Sequence, residues 1–307
     1  MKLTRKSTDL LIYNLLAERR MSGEEIGEVL GISRAAVWKA INKIRQNGVQ
    51  IDVEGRRGYA IVEEMDVNPY KVASIAFRNL KFLDEVFYYT SVDSTNLRAR
   101  EYGRPSVLFF AESQSAGRGR LGRRWESERG GLYFSLTLQP PLGFDDLSKL
   151  TLIAGLAVAD SLPGAKLKWP NDVMVEGKKV CGILSEIHGE LERPVVIIGI
   201  GINVSNPVPE NAIRVQQFWY VDLTQVFDKV LKTFQHHYSL LVGGEWEKLR
   251  ERYAEKCDTI GKVVKVITPT GEIVGRAEGI AKDGAIIIDG KKVYSGDCIH
   301  LRNYRSR

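Results

Sequence analysis

The run Gly117-Arg118-Gly119-Arg120-Leu121-Gly122-Arg123-Arg124 places four arginines among three glycines, and the next acid is Glu126. Glycine admits left-handed conformations and close backbone approach, while each guanidinium carries a planar fork of donors matched to carboxylate or phosphate oxygens. This segment is suited to closing around an anion, and its composition predicts a loop that is mobile when empty. Lys168-Trp169-Pro170-Asn171-Asp172 sets a lysine, an amide and a carboxylate beside a proline break at a strand end, where chemistry concentrates. Residues 195–204 read as a strand buried on both faces but interrupted by Gly199 and Gly201. Glycines in alternation leave one face without side chains, which predicts room for a flat apolar ligand beneath the arginine loop.

The arginine run also spells G-x-G-x-x-G, which binds a dinucleotide only between a strand and a helix. Upstream, residues 107–111 read as a strand. Downstream, Gly130 and Gly131 are followed by alternating strand residues, not an amphipathic helix, so that reading fails. Lysine and arginine number 44 against 38 acids, a formal charge of +6 that permits a nucleic-acid partner without requiring one. Cys181, Cys257 and Cys298 are scattered, with no C-x-x-C pair, so neither a disulfide framework nor a structural zinc site is expected. The four histidines show no ligand spacing, and no protein-held metal is predicted. No apolar run reaches membrane-spanning length and the first 20 residues lack a signal-peptide core, which points to the cytoplasm.

The elements that must position these groups fall into three units. Residues 1–64 contain helices beginning near Ser7 or Thr8, at Ser22 with Glu25 in capping-box position, and at Ser33. The second helix should bury Ile26, Val29 and Leu30, and Gly31 ends it. The third buries Val37, Ile41 and Ile44 and presents Arg34, Lys39, Lys43 and Arg45 with no acid among them. A hairpin follows, with Arg56 and Arg57 at its tip. This is a winged helix-turn-helix, and with Ser22 and Ser33 those six basic residues are the candidate DNA contacts. The first 65 residues hold 11 basic and 9 acidic side chains, so charge here is arranged rather than abundant.

Residues 65–256 mix strands and helices: a strand near 87–90, a helix opened by Ser94-Thr95-Asn96, an apolar core helix over 147–162, and one helical stretch over 223–253. From 257 to 307 short strands alternate about Pro269-Thr270-Gly271 and Asp283-Gly284 turns, which reads as a small SH3-like β-barrel. The fold class is thus α+β.

Ser94-Thr95-Asn96, Gln114-Ser115-Ala116-Gly117-Arg118-Gly119-Arg120, Lys168-Trp169-Pro170-Asn171-Asp172, Lys179 before Gly182-Ile183-Leu184, and Gly199-Ile200-Gly201-Ile202-Asn203 occur in an order and spacing that resembles the biotin protein ligases. With the winged helix in front, the whole chain is similar to the bifunctional bacterial type, which is also a biotin-responsive repressor of biotin genes. Lipoate ligases share that fold but lack the arginine loop. The resemblance implies a central domain of the class II synthetase-like biotin ligase type. It also implies formation of biotinoyl-5′-AMP from biotin and ATP with Mg²⁺, then transfer of biotin to a lysine of a carboxylase carrier domain. By the family's pattern Arg118, Arg120, Lys179 and Asp172 are catalytic. Ser94, Thr95, Asn96 and Gln114 meet biotin, Gly117 and Gly119 belong to the loop over it, Trp125 covers it, and Gly182, Gly199 and Gly201 form its walls. Arg120, Arg123, Lys168, Asn171 and Asn203 serve the adenylate. Residues 204–221 are shorter than in better-known members, leaving Phe218, Trp219 and Tyr220 as aromatic candidates for the adenine, with Trp219 carried as the candidate contact. The implied partners are the carrier domain, operator DNA and a second copy of the chain recruited by the adenylate. Two other functions stay open at this point: a ligand-responsive transcription factor without chemistry, and a lipoate-type acyl-adenylating ligase.

Overall fold

A computed structural model describes residues 1–54, 58–63, 67–190 and 192–301. The chain opens with strand β1 (Lys2–Thr4), followed by helices α1 (Thr8–Glu18), α2 (Gly23–Leu30) and α3 (Arg34–Gln46). The Ser22 hydroxyl accepts from the Glu25 amide at 3.1 Å while the Glu25 carboxylate accepts from the Ser22 amide at 2.6 Å, the reciprocal box the spacing predicts. Gly31 then closes α2 at φ +65, a left-handed position that favours glycine. Ser33 caps α3, which buries Val37, Ala40, Ile41 and Ile44. Strands β2 (Gln50–Val53) and β3 (Tyr59–Glu63) pair antiparallel as the expected hairpin. Arg56 and Arg57 lie outside the described residues. Val29 is not part of the core as expected but 60 % exposed, because the short α2 packs inward through Ile26 and Gly27.

After α4 (Pro69–Asn79) come β4 (Glu85–Tyr89), α5 (Thr95–Tyr102), β5 (Val107–Ala111), β6 (Leu132–Leu138) and α6 (Lys149–Ser161). Strands β7 (Lys166–Lys168), β8 (Asp172–Val175), β9 (Lys178–His188) and β10 (Val195–Ile202) complete a sheet ordered β1-β4-β5-β6-β10-β9-β8-β7. Every pairing is antiparallel except β4 with β5. The edge strand β1 was not foreseen: three residues with one buried side chain, Leu3, carry too little pattern to read as a strand. The stretch over 223–253 is not one helix but two, α7 (Leu223–Val242) and α8 (Trp246–Lys256), broken at Gly243-Gly244 with Gly244 at φ +81. Helix α6 is buried on nearly every side, between the sheet and α7.

Register decides what the other face of the sheet carries. Directly opposed residues share a face. Ser135, Gly199 and Leu184 form one row across β6, β10 and β9, and Tyr133, Gly201 and Gly182 form the next. Helix α5 packs on this face through Ala99 against Val107, Phe109 and Ile197. Its N-terminus therefore ends above the glycine rows. Strands β11 (Val263–Thr268), β12 (Gly271–Ile280), β13 (Ile286–Ile288), β14 (Lys291–Val293) and β15 (Asp297–His300) make a five-stranded antiparallel sheet ordered β14-β13-β12-β11-β15.

Candidate ligand site

The N-terminus of α5, the arginine loop and the glycine rows enclose one cavity. Ser94 caps α5, and the Thr95 amide and hydroxyl lie 2.8 and 3.2 Å from Gln114 Oε1. Gln114 Nε2 donates to Ser127 Oγ at 2.8 Å. Buried Asn96 accepts from Ser135 Oγ at 2.6 Å and donates to Glu186 Oε2 at 2.9 Å. The result is a pre-set array of small polar groups at one end of the cavity.

The arginine loop is a narrow hairpin. Trp125 N donates to Gly117 O at 2.9 Å and Gly119 N to Arg123 O at 2.7 Å. A Cβ on Gly117 would lie 2.3 Å from Trp125 O, so close strand approach requires glycine there. At the tip Leu121 and Gly122 take φ +54 and +73. Each arginine is held by a different part of the molecule. Arg118 Nη1 is 3.5 Å from Glu186 Oε1, and Arg120 Nη1 donates to Asn171 Oδ1 at 3.0 Å. Arg123 forks onto both oxygens of Asp297 in the C-terminal sheet, and Arg124 Nη2 donates to Ser115 O at 3.1 Å. Burial pulls the Arg120 guanidinium below its ordinary value, partly offset by the charges of Asp172 and Asp297. The bond from Arg123 holds the Asp297 carboxyl below the usual carboxylate range. Asp172 Oδ1 meets Lys179 Nζ at 2.6 Å, and that ammonium lies 5.2 Å from the Trp125 ring centroid.

The glycines do not leave open space, contrary to expectation. A Cβ on Gly199 would meet Asn96 Oδ1 at 2.1 Å, and one on Gly201 would meet Trp125 Nε1 at 2.5 Å. They make room for an amide and an indole that themselves face the cavity. Trp125 Nε1 is buried without a hydrogen-bond partner among the described residues.

Residues 86–203 match the biotin/lipoate A/B protein ligase family, residues 8–60 an HTH domain, and residues 259–301 the biotin protein ligase C terminal domain. The bifunctional ligase/repressor BirA of Escherichia coli is 31% identical over 313 residues, covering 92% of this chain and 93% of that protein. The chain belongs to the biotin protein ligase family. A second bifunctional ligase/repressor BirA, from Bacillus subtilis, is 29% identical across 97% of this chain and 99% of its own length. Among solved structures, the biotin protein ligase from Aquifex aeolicus in complex with biotin and ATP superposes with a TM-score of 0.63 at 33% identity, covering 71% of this chain and 99% of that one.

Within this ligase, the cavity gathers the predicted Ser94, Thr95, Asn96, Gln114, Arg118, Gly119, Arg120, Trp125, Asn171, Asp172, Lys179, Gly182, Gly199 and Gly201, with Arg123 at its rim, while Gly117 stands behind in the hairpin stem. Three predicted residues are not brought there. Lys168 sets its charge near Asp297 and Cys298, adding to the lowering of the Asp297 carboxyl by Arg123 and partly offsetting the burial that raises the Cys298 thiol. Buried Asn203 accepts from Asn206 Nδ2 at 3.2 Å and so shapes the turn after β10. Trp219 lies in a groove with Tyr13 and Asn14 of α1, with Lys229 Nζ 4.3 Å from its ring centroid. Phe218 packs on the core and Tyr220 is fully exposed, so none of the three aromatics lines the cavity. Asp297 and Glu186 were missed. Asp297 could be found only in three dimensions, whereas Glu186 continues the alternation of Gly182 and Leu184 along β9.

On the winged helix the cationic face is less free than the helix alone suggests. Arg34 pairs with Glu24 of α2, Lys43 Nζ sits 2.6 Å from buried Asp9 of α1, and Arg45 Nη2 donates to Ile51 O at 2.7 Å. The Ser33 hydroxyl is engaged as a cap, like that of Ser22. Trp38, overlooked in the sequence, stands 61 % exposed next to Lys39.

Proposed function

We propose that this chain activates biotin with ATP to biotinoyl-5′-AMP, transfers biotin to a lysine of a carboxylase carrier domain, and represses biotin genes in response to that intermediate. The observation that carries the reading is the meeting of Arg118, Arg120 and Lys179 at one cavity whose other end is the Ser94–Gln114 polar array. In the first step a biotin carboxylate oxygen attacks the α-phosphorus and the bond to pyrophosphate breaks. Two anions must approach, so fixed cations that oppose their repulsion lower the barrier. Arg120 is partly desolvated by burial, so its charge acts with reduced screening. In the second step the carrier amine attacks the activated carbonyl and AMP leaves. Until then the hairpin keeps water from the anhydride.

Asp172 is engaged by Lys179, and no cluster of three or more His, Cys, Asp or Glu occurs among the described residues. The side chains therefore do not fit a resident Mg²⁺ ion, and magnesium enters with the phosphates of ATP. No helix among the described residues is long and apolar enough to cross a membrane. Operator DNA and carrier domains as partners favour a cytoplasmic location, and a single winged helix favours a dimer on a two-fold operator. Incubation with biotin, ATP and a recombinant carboxylase carrier domain should add the mass of one biotinoyl group, biotin less water, to one carrier lysine. An unmodified carrier, or one modified equally by lipoate, overturns the reading.

A further inference from the structure

Glu186 does not line the cavity, yet it touches both of its halves. Its Oε2 accepts from Asn96 Nδ2 at 2.9 Å, and its Oε1 lies 3.5 Å from Arg118 Nη1. Asn96 is held from the other side by fully buried Ser135, and Gly199 leaves it space. Strand register sets Glu186 opposite Ile197, one step beyond the Leu184–Gly199 pair. The half-buried Glu186 carboxylate has a separate partner for each oxygen: one faces the floor of the site and the other faces the loop. The geometry points to Glu186 as a positioning residue that sets the arginine hairpin in register with the polar array, acting on biotin affinity through Asn96 and on retention of the adenylate through Arg118. The inference rests on the ligase reading above.

Two variants separate the two oxygens. In Glu186→Gln an amide oxygen still accepts from Asn96, but the charge facing Arg118 is gone. In Glu186→Ala both contacts go. Each protein is incubated with biotin and ATP, once with the carrier domain and once with serum albumin as a bystander. KM for biotin, kcat for carrier labelling and albumin labelling are read together. Losing a hydrogen bond to a charged group corresponds to roughly 10-fold or more in affinity. Glu186→Ala should therefore raise the biotin KM by about that factor and also label albumin. Glu186→Gln should raise albumin labelling by a similar factor, about 10-fold, with a much smaller change in KM. Glu186→Asp, which keeps the charge, should return albumin labelling toward wild type. The inference is overturned if Glu186→Gln labels albumin no more than wild type, if Glu186→Ala keeps the wild-type KM, or if both variants lose thermal stability without changing either readout. A wild-type protein that labels no carrier defeats the ligase reading instead, so the two failures are distinguishable.

Discussion

In the proposed reaction between two anions, Lys179 and Asp172 act as a pair. The ammonium is close enough to the carboxylate to bond it at 2.6 Å and to the Trp125 ring to lie over it, so its position is set before substrate arrives. In the proposed reaction, removing it would do two things: take a cation from where charge develops, and leave Asp172 without its partner facing the phosphates. Lys179→Ala is expected to slow pyrophosphate release by at least ~100-fold, the scale of losing one electrostatic donor. Because part of that loss comes from the stranded carboxylate, Lys179→Ala with Asp172→Asn should be less impaired than Lys179→Ala alone. Near wild-type pyrophosphate release by Lys179→Ala would falsify this assignment.

Between elements, the same logic of one charge with several partners fixes how the helices pack. Asp160 of α6 is buried, with His237 Nε2 of α7 at 2.9 Å, Arg252 Nε of α8 at 2.7 Å and Lys256 Nζ of α8 at 3.3 Å. Burial alone would push its carboxyl up. The bonds from His237 and Arg252, with the charges of Arg252 and Lys256, outweigh burial and bring it down to about 2. A carboxyl whose folded value lies below its unfolded one stabilises the protein above the unfolded value and loses that contribution as pH falls through the folded one. The clamp is thus complete at neutral pH and released between about pH 4 and pH 2, a contribution of about 2 kcal/mol. In denaturant titrations, the stability gap between wild type and Asp160→Asn should narrow over that window. A gap independent of pH would remove the clamp from the account.

Across the whole molecule, the winged helix is fastened to the central domain through its N-terminal segment. Strand β1 covers the β4 edge, and Arg5 donates to Phe77 O, Leu80 O and Leu83 O at 2.8, 2.8 and 3.1 Å, bonding carbonyls at and just beyond the C-terminal end of α4. Asp9 adds a bridge: it meets Lys43 of α3 and accepts from the Tyr70 hydroxyl of α4 at 3.3 Å. Since β4 runs directly toward Ser94, the orientation of the DNA-facing unit and the floor of the site share one strand. Arg5→Ala should cost about 1.5–3 kcal/mol, the range for hydrogen bonds to a charged group. Amide exchange should then accelerate in β1 and at the end of α4, ahead of the sheet centre. Unchanged exchange at both places would show that β1 holds the unit without Arg5.

Helix caps at Ser22 and Ser33, the glycine stop at Gly31 and the alternating strands were legible because each depends on residues within a few positions of one another. The residues that line the cavity were legible for the same reason: the arginine and lysine motifs are local runs whose residue types restrict what they can bind. The Arg123–Asp297 fork, the Arg118–Glu186 contact, and the withdrawal of Trp219 to the groove beside α1 were not. They depend on which strand lies next to which, and on residues up to 174 positions apart meeting only once the sheets have formed. The glycine rows show both sides of this division. Sequence placed Gly199 and Gly201 on one face by the period of two, but only packing decided that Asn96 and Trp125 fill the space they leave.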